Sequence, residues 1–223
     1  MSTPRAGGIP ADAVAFYAEL VQHNERAWFQ ANKARYAASV REPLVALTDA
    51  LADEFGEPKV FRPQRNLRFS ADRTPYKDSQ GAILQVVEGL GYYVSVGPDG
   101  LTTGGGMMHL SPDQLRRFRA AVDAVDSGEQ LAGIVESLRR QGFGIGGEVL
   151  RSRPRGVPAD HPRVDLLAHK SLIVWVDHGT PAWMSTPQVV TTVRAQWRLV
   201  RPVVEWVAEH VGDAQEPHTS LPR

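Results

Sequence analysis

The chain has no cysteine among its 223 residues, which removes disulfide frameworks, thiolate nucleophiles and cysteine-based zinc sites together. It has no net charge either: 25 Lys+Arg stand against 25 Asp+Glu. A protein built mainly to grip duplex nucleic acid or an anionic membrane carries a visible basic excess. The balance therefore argues against nucleic acid as the principal partner and leaves room only for local patches. Long apolar runs are missing as well. The longest aliphatic stretch, Leu172 to Val176, falls far short of the roughly 20 residues a bilayer span requires, so no membrane partner is expected. The opening MSTPRAGGIP lacks the apolar centre of a secretory signal, and a cytoplasmic location is the resulting expectation. Oligomeric state is not set by any of these features.

Catalytic and cofactor motifs are also absent. There is no Walker A sequence and no G-x-S-x-G elbow. The seven histidines show no H-x-H, H-x-x-x-H or H-E-x-x-H spacing that would converge on a metal. Gly142 to Gly147 does spell G-x-G-x-x-G, but a dinucleotide site needs a strand before it and a helix after it. Here a helical pattern precedes it and an Arg/Pro-rich stretch follows, so no nucleotide cofactor is expected. No cofactor of any kind and no metal is assigned.

What remains is an ordinary globular composition, 42% hydrophobic and 22% charged, in a chain long enough to bury a real core. Residues 1–10 read as a loose arm, 11–211 as one α+β domain and 212–223 as a frayed tail. Asp12 is placed as the cap of a first helix carrying Val14, Tyr17, Leu20 and Val21. Asn24 is placed as the cap of a second, longer one. That second helix has Phe29, Tyr36, Val40, Leu44, Leu47, Leu51 and Phe55 at helical spacing, with a kink at Pro43. From there the period changes. Ala82 to Val87, Tyr92 to Val96 and Leu101 to Thr103 read as strands of an antiparallel meander, because their linkers are too short for parallel crossovers.

Ser111-Pro112-Asp113-Gln114 is a capping box opening a helix; a further helix over about 129–140 follows Gly128. A short helix near 163–168 and a strand from Lys170 to Val176 come next. A last helix over about 187–211 places Val193, Trp197, Val200, Val204, Val207 and Val211 on one stripe, kinked at Pro202. Helices flanking a block of strands indicate α+β rather than a doubly wound sheet, with N- and C-terminal helices on a mostly antiparallel sheet. Thr103-Gly104-Gly105-Gly106 allows either a ligand loop before the Ser111 cap or a shaped strand end.

The least random segment is KVFRPQRNLRFSADRTPYKD, residues 59–78. Lys59, Arg62, Arg65, Arg68, Arg73 and Lys77 face only Asp72 and Asp78. Arginine forks onto carboxylates and phosphates, or buries its stem while its head pairs internally. In the functional reading Arg62, Arg65, Arg68, Arg73 and Lys77 hold a small anionic ligand, with Tyr76 as an added donor and Asp72 orienting an arginine. In the structural reading the same groups tie the fold together through Asp72 and Asp78, and the domain serves interaction without chemistry. A third reading adds Arg151, Arg153 and Arg155 to make a nucleic-acid surface, which the zero net charge disfavours. Whether any turnover occurs is not set by the sequence.

These residues also resemble the bacterial family called domain of unknown function 2461, whose hallmark is R-x-x-R-D-x-R-F-x-x-D-K-x-P-Y. The pattern stands here as Arg62, Arg65, Asn66, Arg68, Phe69, Asp72, Arg73, Pro75 and Tyr76, followed by Lys77. The similarity extends to Asn24, Arg26, Trp28, Phe29, Lys33 and Tyr36, to Gly104 to Gly106, and to the stretch from Arg155-Gly156 through His161-Pro162 to Lys170-Ser171. It implies one family fold over roughly 12–211 and brings no activity with it. Two positions depart from the pattern, Asn66 for Asp and Arg73 for Lys. An amide is no general base at neutral pH, and Lys to Arg keeps charge while changing geometry, which favours anion pairing over nucleophilic chemistry.

Overall fold

Helix α1 (Ala11–Gln22) starts at Pro10 and turns Ala13, Phe16, Tyr17 and Leu20 inward, while Val21 stays exposed. The computed structural model describes residues 7–66 and 72–215. Asp12 does not cap α1: it lies in the first turn and pairs with Arg35 at 2.7 Å. Asn24 is not a cap either. Helix α2 (Arg26–Ala31) begins at Glu25 without a side-chain cap, and the Asn24 amide is used elsewhere.

The single long helix expected next is interrupted. After α2 the chain turns at Asn32, forms α3 (Lys33–Tyr36), widens over Ala37–Arg41 and continues as α4 (Glu42–Asp49) and α5 (Ala52–Phe55). The widened stretch has a five-residue step, with the Glu42 N–H donating to the Ala37 carbonyl. Pro43 is the cause: it has no N–H to give and its ring crowds the preceding turn, so the helix loosens one turn earlier. The apolar stripe survives, with Tyr36, Val40, Leu44, Leu47, Leu51 and Phe55 all buried.

The described residues form one six-stranded antiparallel sheet in the order β1-β2-β3-β4-β6-β5. Its strands are β1 (Glu57–Val60), β2 (Gln80–Val87), β3 (Leu90–Gly97), β4 (Gly100–Met107), β5 (Gly144–Gly146) and β6 (Leu172–Gly179). The meander β2-β3-β4 matches the expectation, though β4 runs through the whole glycine stretch. Gly104 and Gly106 are there for close approach. A Cβ at either would sit 2.2 Å from a carbonyl oxygen of β6, and Gly106 has φ 120°. The segment Gly142 to Gly147 holds β5, paired with β6 through Gly144 opposite Trp175, which is not the context of a nucleotide loop.

By internal contacts the chain divides into two units, with boundaries inside β2, β3, β4, β6 and the last helix. The first comprises residues up to Leu84, Tyr93–Thr103 and Asp177–Gln196. It contains α1 to α5, and the Tyr36 hydroxyl donates to the Gln80 side chain of β2 at 2.6 Å. The second comprises Gln85–Tyr92, Gly104–Val176 and the residues from Trp197 onward. It contains α6 (Pro112–Asp123), α7 (Val125–Arg140) and α8 (Val164–Leu167), with most of α9 (Gln188–His210). The Ser111 capping box is formed as expected. Gly128 does not precede α7 but lies within it, where Val122 and Arg163 leave no room for a side chain. Along α9, Trp197 packs on Tyr92 with ring centres 5.7 Å apart, and Val200 lies against Gly105.

Candidate functional site

The 61–79 connection between β1 and β2 belongs to the first unit. Gln64 and Tyr76 face each other in an isolated antiparallel bridge. The Arg65 N–H donates to the Pro75 carbonyl and the Lys77 N–H to the Pro63 carbonyl, each at 2.9 Å. A regular ladder would give each flanking pair a second bond, but Pro63 and Pro75 have no N–H. The pairing therefore stops after one rung. Because side chains alternate along extended backbone, Gln64 and Tyr76 share one side, and Arg65 and Lys77 share the other with Pro63 and Pro75.

Gln64 is exposed, but Tyr76 turns into the core. Tyr76 is only 4% exposed, and its ring stacks on Phe29 with centres 4.0 Å apart and planes 11° from parallel. Asn24 fixes the backbone there from both directions. Its Nδ2 donates to the Tyr76 carbonyl at 3.0 Å, and its Oδ1 accepts from the Tyr76 N–H at 3.1 Å. Tyr76 thus anchors the loop, where the sequence suggested an extra donor for a ligand. Asn24 does what a neighbouring strand would do, a role that no local sequence rule exposes. The sequence singled Asn24 out as a helix cap and in the family resemblance, and neither reading pointed to Tyr76.

The opposite side carries charge. Arg65 Nη2 lies 3.0 Å from Asp72 Oδ2, while its Nε is buried and has no hydrogen-bond partner among the described residues. Asp72 also accepts from the Thr74 N–H at 2.9 Å and the Thr74 hydroxyl at 2.8 Å. Those two bonds, more than Arg65, hold its carboxyl below the usual carboxylate range. Lys77 lies with Nζ 5.3 Å from the Phe61 ring centre. Burial, and then the charges of Arg62 and Arg65, push its ammonium below the usual lysine pKa. Arg62 and Arg73 are exposed, and Arg68 lies outside the described residues. Arg62 and Arg65 thus each lie within electrostatic reach of Lys77, with Asp72 as the carboxylate bound to Arg65.

A cleft of about 430 Å³ opens beside this loop. Asp78, Ser79, Ser95, Asp99, Thr102 and Asp177 line it together with the Gly97–Leu101 turn. The Thr102 hydroxyl donates to Asp177 at 2.6 Å. The Tyr93 hydroxyl, bonded to the Ser95 side chain, is raised above the usual tyrosine pKa by burial and by Asp78. Among the described residues no group of three His, Asp or Glu side chains stands where it could hold a metal ion, and no helix is long and apolar enough to cross a membrane. The glycines of β4 are buried in the sheet and form no ligand loop.

No curated protein and no solved structure matches the chain. The family described as conserved hypothetical protein (DUF2461) matches residues 12–206, a span that holds the Asn24 clamp, the cationic loop and most of α9. On that match over most of its length, the chain belongs to this family.

Proposed function

We propose that the loop from Arg62 to Lys77 binds a small anionic ligand, phosphate- or carboxylate-bearing, chiefly through Arg62, Arg65 and Lys77. Arg68 and Arg73 supply further charge from the same loop. The observation that carries this reading is the state of Arg65. One arm of its guanidinium is fixed by Asp72, while its buried Nε has no acceptor among the described residues. A buried donor without a partner costs about 1–3 kcal/mol, a cost that an incoming oxyanion removes. Lys77 adds to it, since crowding by two arginines is relieved by a negative charge. Tyr76, Asn24 and Asp72 act here as scaffold. The reading places the protein in the cytosol, where small phosphorylated ligands are available.

The competing reading, a structural Arg/Asp network, draws on the Arg65–Asp72 pair. Arg62 separates the two. Arg62→Ala removes an exposed side chain, so under the structural reading nothing changes, whereas under ours affinity for phosphate-bearing compounds falls about tenfold. Thermal unfolding with inorganic phosphate, sugar phosphates and carboxylates reads this directly. A ligand at a hundred times its Kd adds about 2.7 kcal/mol of stability. A flat response across the series overturns the reading.

A further inference from the structure

The guanidinium groups of the cationic loop and its one amine differ in a chemical respect. A guanidinium keeps its proton, whereas an ammonium that is desolvated or crowded by other cations gives its proton up more readily and becomes a nucleophile. Lys77 meets both conditions. Of the four lysines in the chain, Lys33 and Lys59 are exposed and Lys170 is paired with Glu148. Lys77 is half-buried, with Nζ 5.3 Å from the Phe61 ring centre. Burial first, and then the charges of Arg62 and Arg65, bring its neutral form closer than that of an ordinary lysine. This amine is not that of the motif's own lysine position, which Arg73 fills.

The backbone explains the placement. The bridge between Gln64 and Tyr76 sets Arg65 opposite Pro75 and Lys77 opposite Pro63. Arg65 and Lys77 are therefore diagonal neighbours on one face, about 7–8 Å apart at their Cα atoms, a span that long side chains close. Burial alternates residue by residue from Phe61 to Asn66, with Phe61, Pro63 and Arg65 the less exposed set. Phe61 and Pro63 thus share the face of Arg65 and give the lysine stem an apolar bed in place of water. Arg65 is fixed by Asp72, and its buried Nε has no acceptor among the described residues. An oxyanion seated on Arg65 lies a small molecule's length or less from the amine.

Resting on the anion-binding reading and deepening it, we infer that Lys77 is a nucleophilic amine and that the ligand is a small phosphorylated aldehyde or ketone, held by Arg62 and Arg65 and captured by Lys77 as an imine. The Lys77 nitrogen gives its lone pair to the carbonyl carbon, and the carbonyl oxygen leaves as water with the two hydrogens of the amine. No oxidant or reductant enters, and hydrolysis reverses the step.

Two measurements on the full chain at pH 7 separate this inference from the reading beneath it. Thermal unfolding with glycerol 3-phosphate, which has no carbonyl, reports the anion site alone. Reductive trapping with glyceraldehyde 3-phosphate and sodium cyanoborohydride, followed by peptide mapping, reports the imine. Glycerol 3-phosphate should stabilise the chain. Trapping should give a single adduct on Lys77, formed at least about tenfold faster than with unphosphorylated glyceraldehyde, because the bound phosphate holds the carbonyl at the amine. Added glycerol 3-phosphate should slow that adduct by competition, and Lys77→Arg, which keeps the charge, should lose it. Stabilisation with no adduct, with adducts spread over Lys33, Lys59 and Lys170, or with glyceraldehyde reacting at Lys77 as fast as its phosphate overturns the imine inference and leaves the anion reading standing. No stabilisation by glycerol 3-phosphate overturns both.

Discussion

At the scale of single residues, the family motif separates into groups that build the loop and groups that the loop displays. Asn24 belongs to the first. It offers Tyr76 one donor and one acceptor across 52 positions of sequence. Asn24→Ala leaves the part-buried Tyr76 N–H without its acceptor and the Tyr76 carbonyl with only the long 3.5 Å bond from the Thr74 hydroxyl, so it should cost about 1–3 kcal/mol, read as a lower urea midpoint with an unchanged slope. A midpoint equal to the parent's would mean that the clamp contributes nothing. The charge excess of residues 59–78 was legible from counting, and so was Asp72 as the partner of an arginine; that this arginine is Arg65 was not. The inward turn of Tyr76 was not, because a tyrosine beside two cations reads equally well as a core ring or a ligand donor. What decided it was Phe29, 47 positions away in sequence, stacking on its face.

At the scale of elements, periodicity located the helical stretches and four of the six strands among the described residues, while the short strands β1 and β5, the breaks and the extensions escaped it. The stripe from Tyr36 to Phe55 was correct in its buried side chains, yet the backbone beneath it changes from α3 through a widened turn to α4. Side-chain spacing records which face is buried, and one wide turn shifts that face too little to register. The glycines of β4 were ambiguous for a related reason: without side chains they have no period to read. Their purpose is proximity to β6, and it can be measured. Gly106→Ala would place a methyl group 2.2 Å from the Leu172 carbonyl at a φ of 120°, a combination of overlap and backbone strain that should cost about 3 kcal/mol or more. Gly133→Ala is the matched control. That glycine is exposed inside α7 with nothing within 4 Å of a new Cβ, so the change should stabilise by about 0.5–1 kcal/mol. Thermal melts of the pair should move in opposite directions.

At the scale of the whole molecule, the α+β class followed from the order of patterns along the chain. The division into two units did not. Its boundaries cut strands and α9 in mid-element, where no Pro/Gly-rich linker announces them. Just past α9, Val211, Gly212 and Gln215 are each held by α6 or its first turn. The Gln114 side chain donates to the Gly212 carbonyl at 2.8 Å, Arg117 Nε to the Val211 carbonyl at 2.6 Å, and the Gln215 N–H to Asp113 at 2.9 Å. Asp113 is central to this tether. The Ser111 hydroxyl first, then the Gln215 N–H and Arg117, hold its carboxyl well below the usual range. A carboxylate with a lowered native pKa binds fewer protons folded than unfolded, so it stabilises above its ordinary value of 3.8 and loses that contribution as pH falls toward the native one. Urea unfolding from pH 7 to pH 3 should show the parent losing more stability in the acid limb than Asp113→Asn, which starts lower and falls less. Parallel curves would remove Asp113 from the account. The borders of the sheet have their own consequence. The strands at its two ends are β1, four residues that include Pro58 and Lys59, and β5, three residues bounded by glycines. Neither offers a stranger's backbone enough unpaired rungs to latch onto, so copies of this chain should stay dispersed when concentrated instead of knitting together edge to edge.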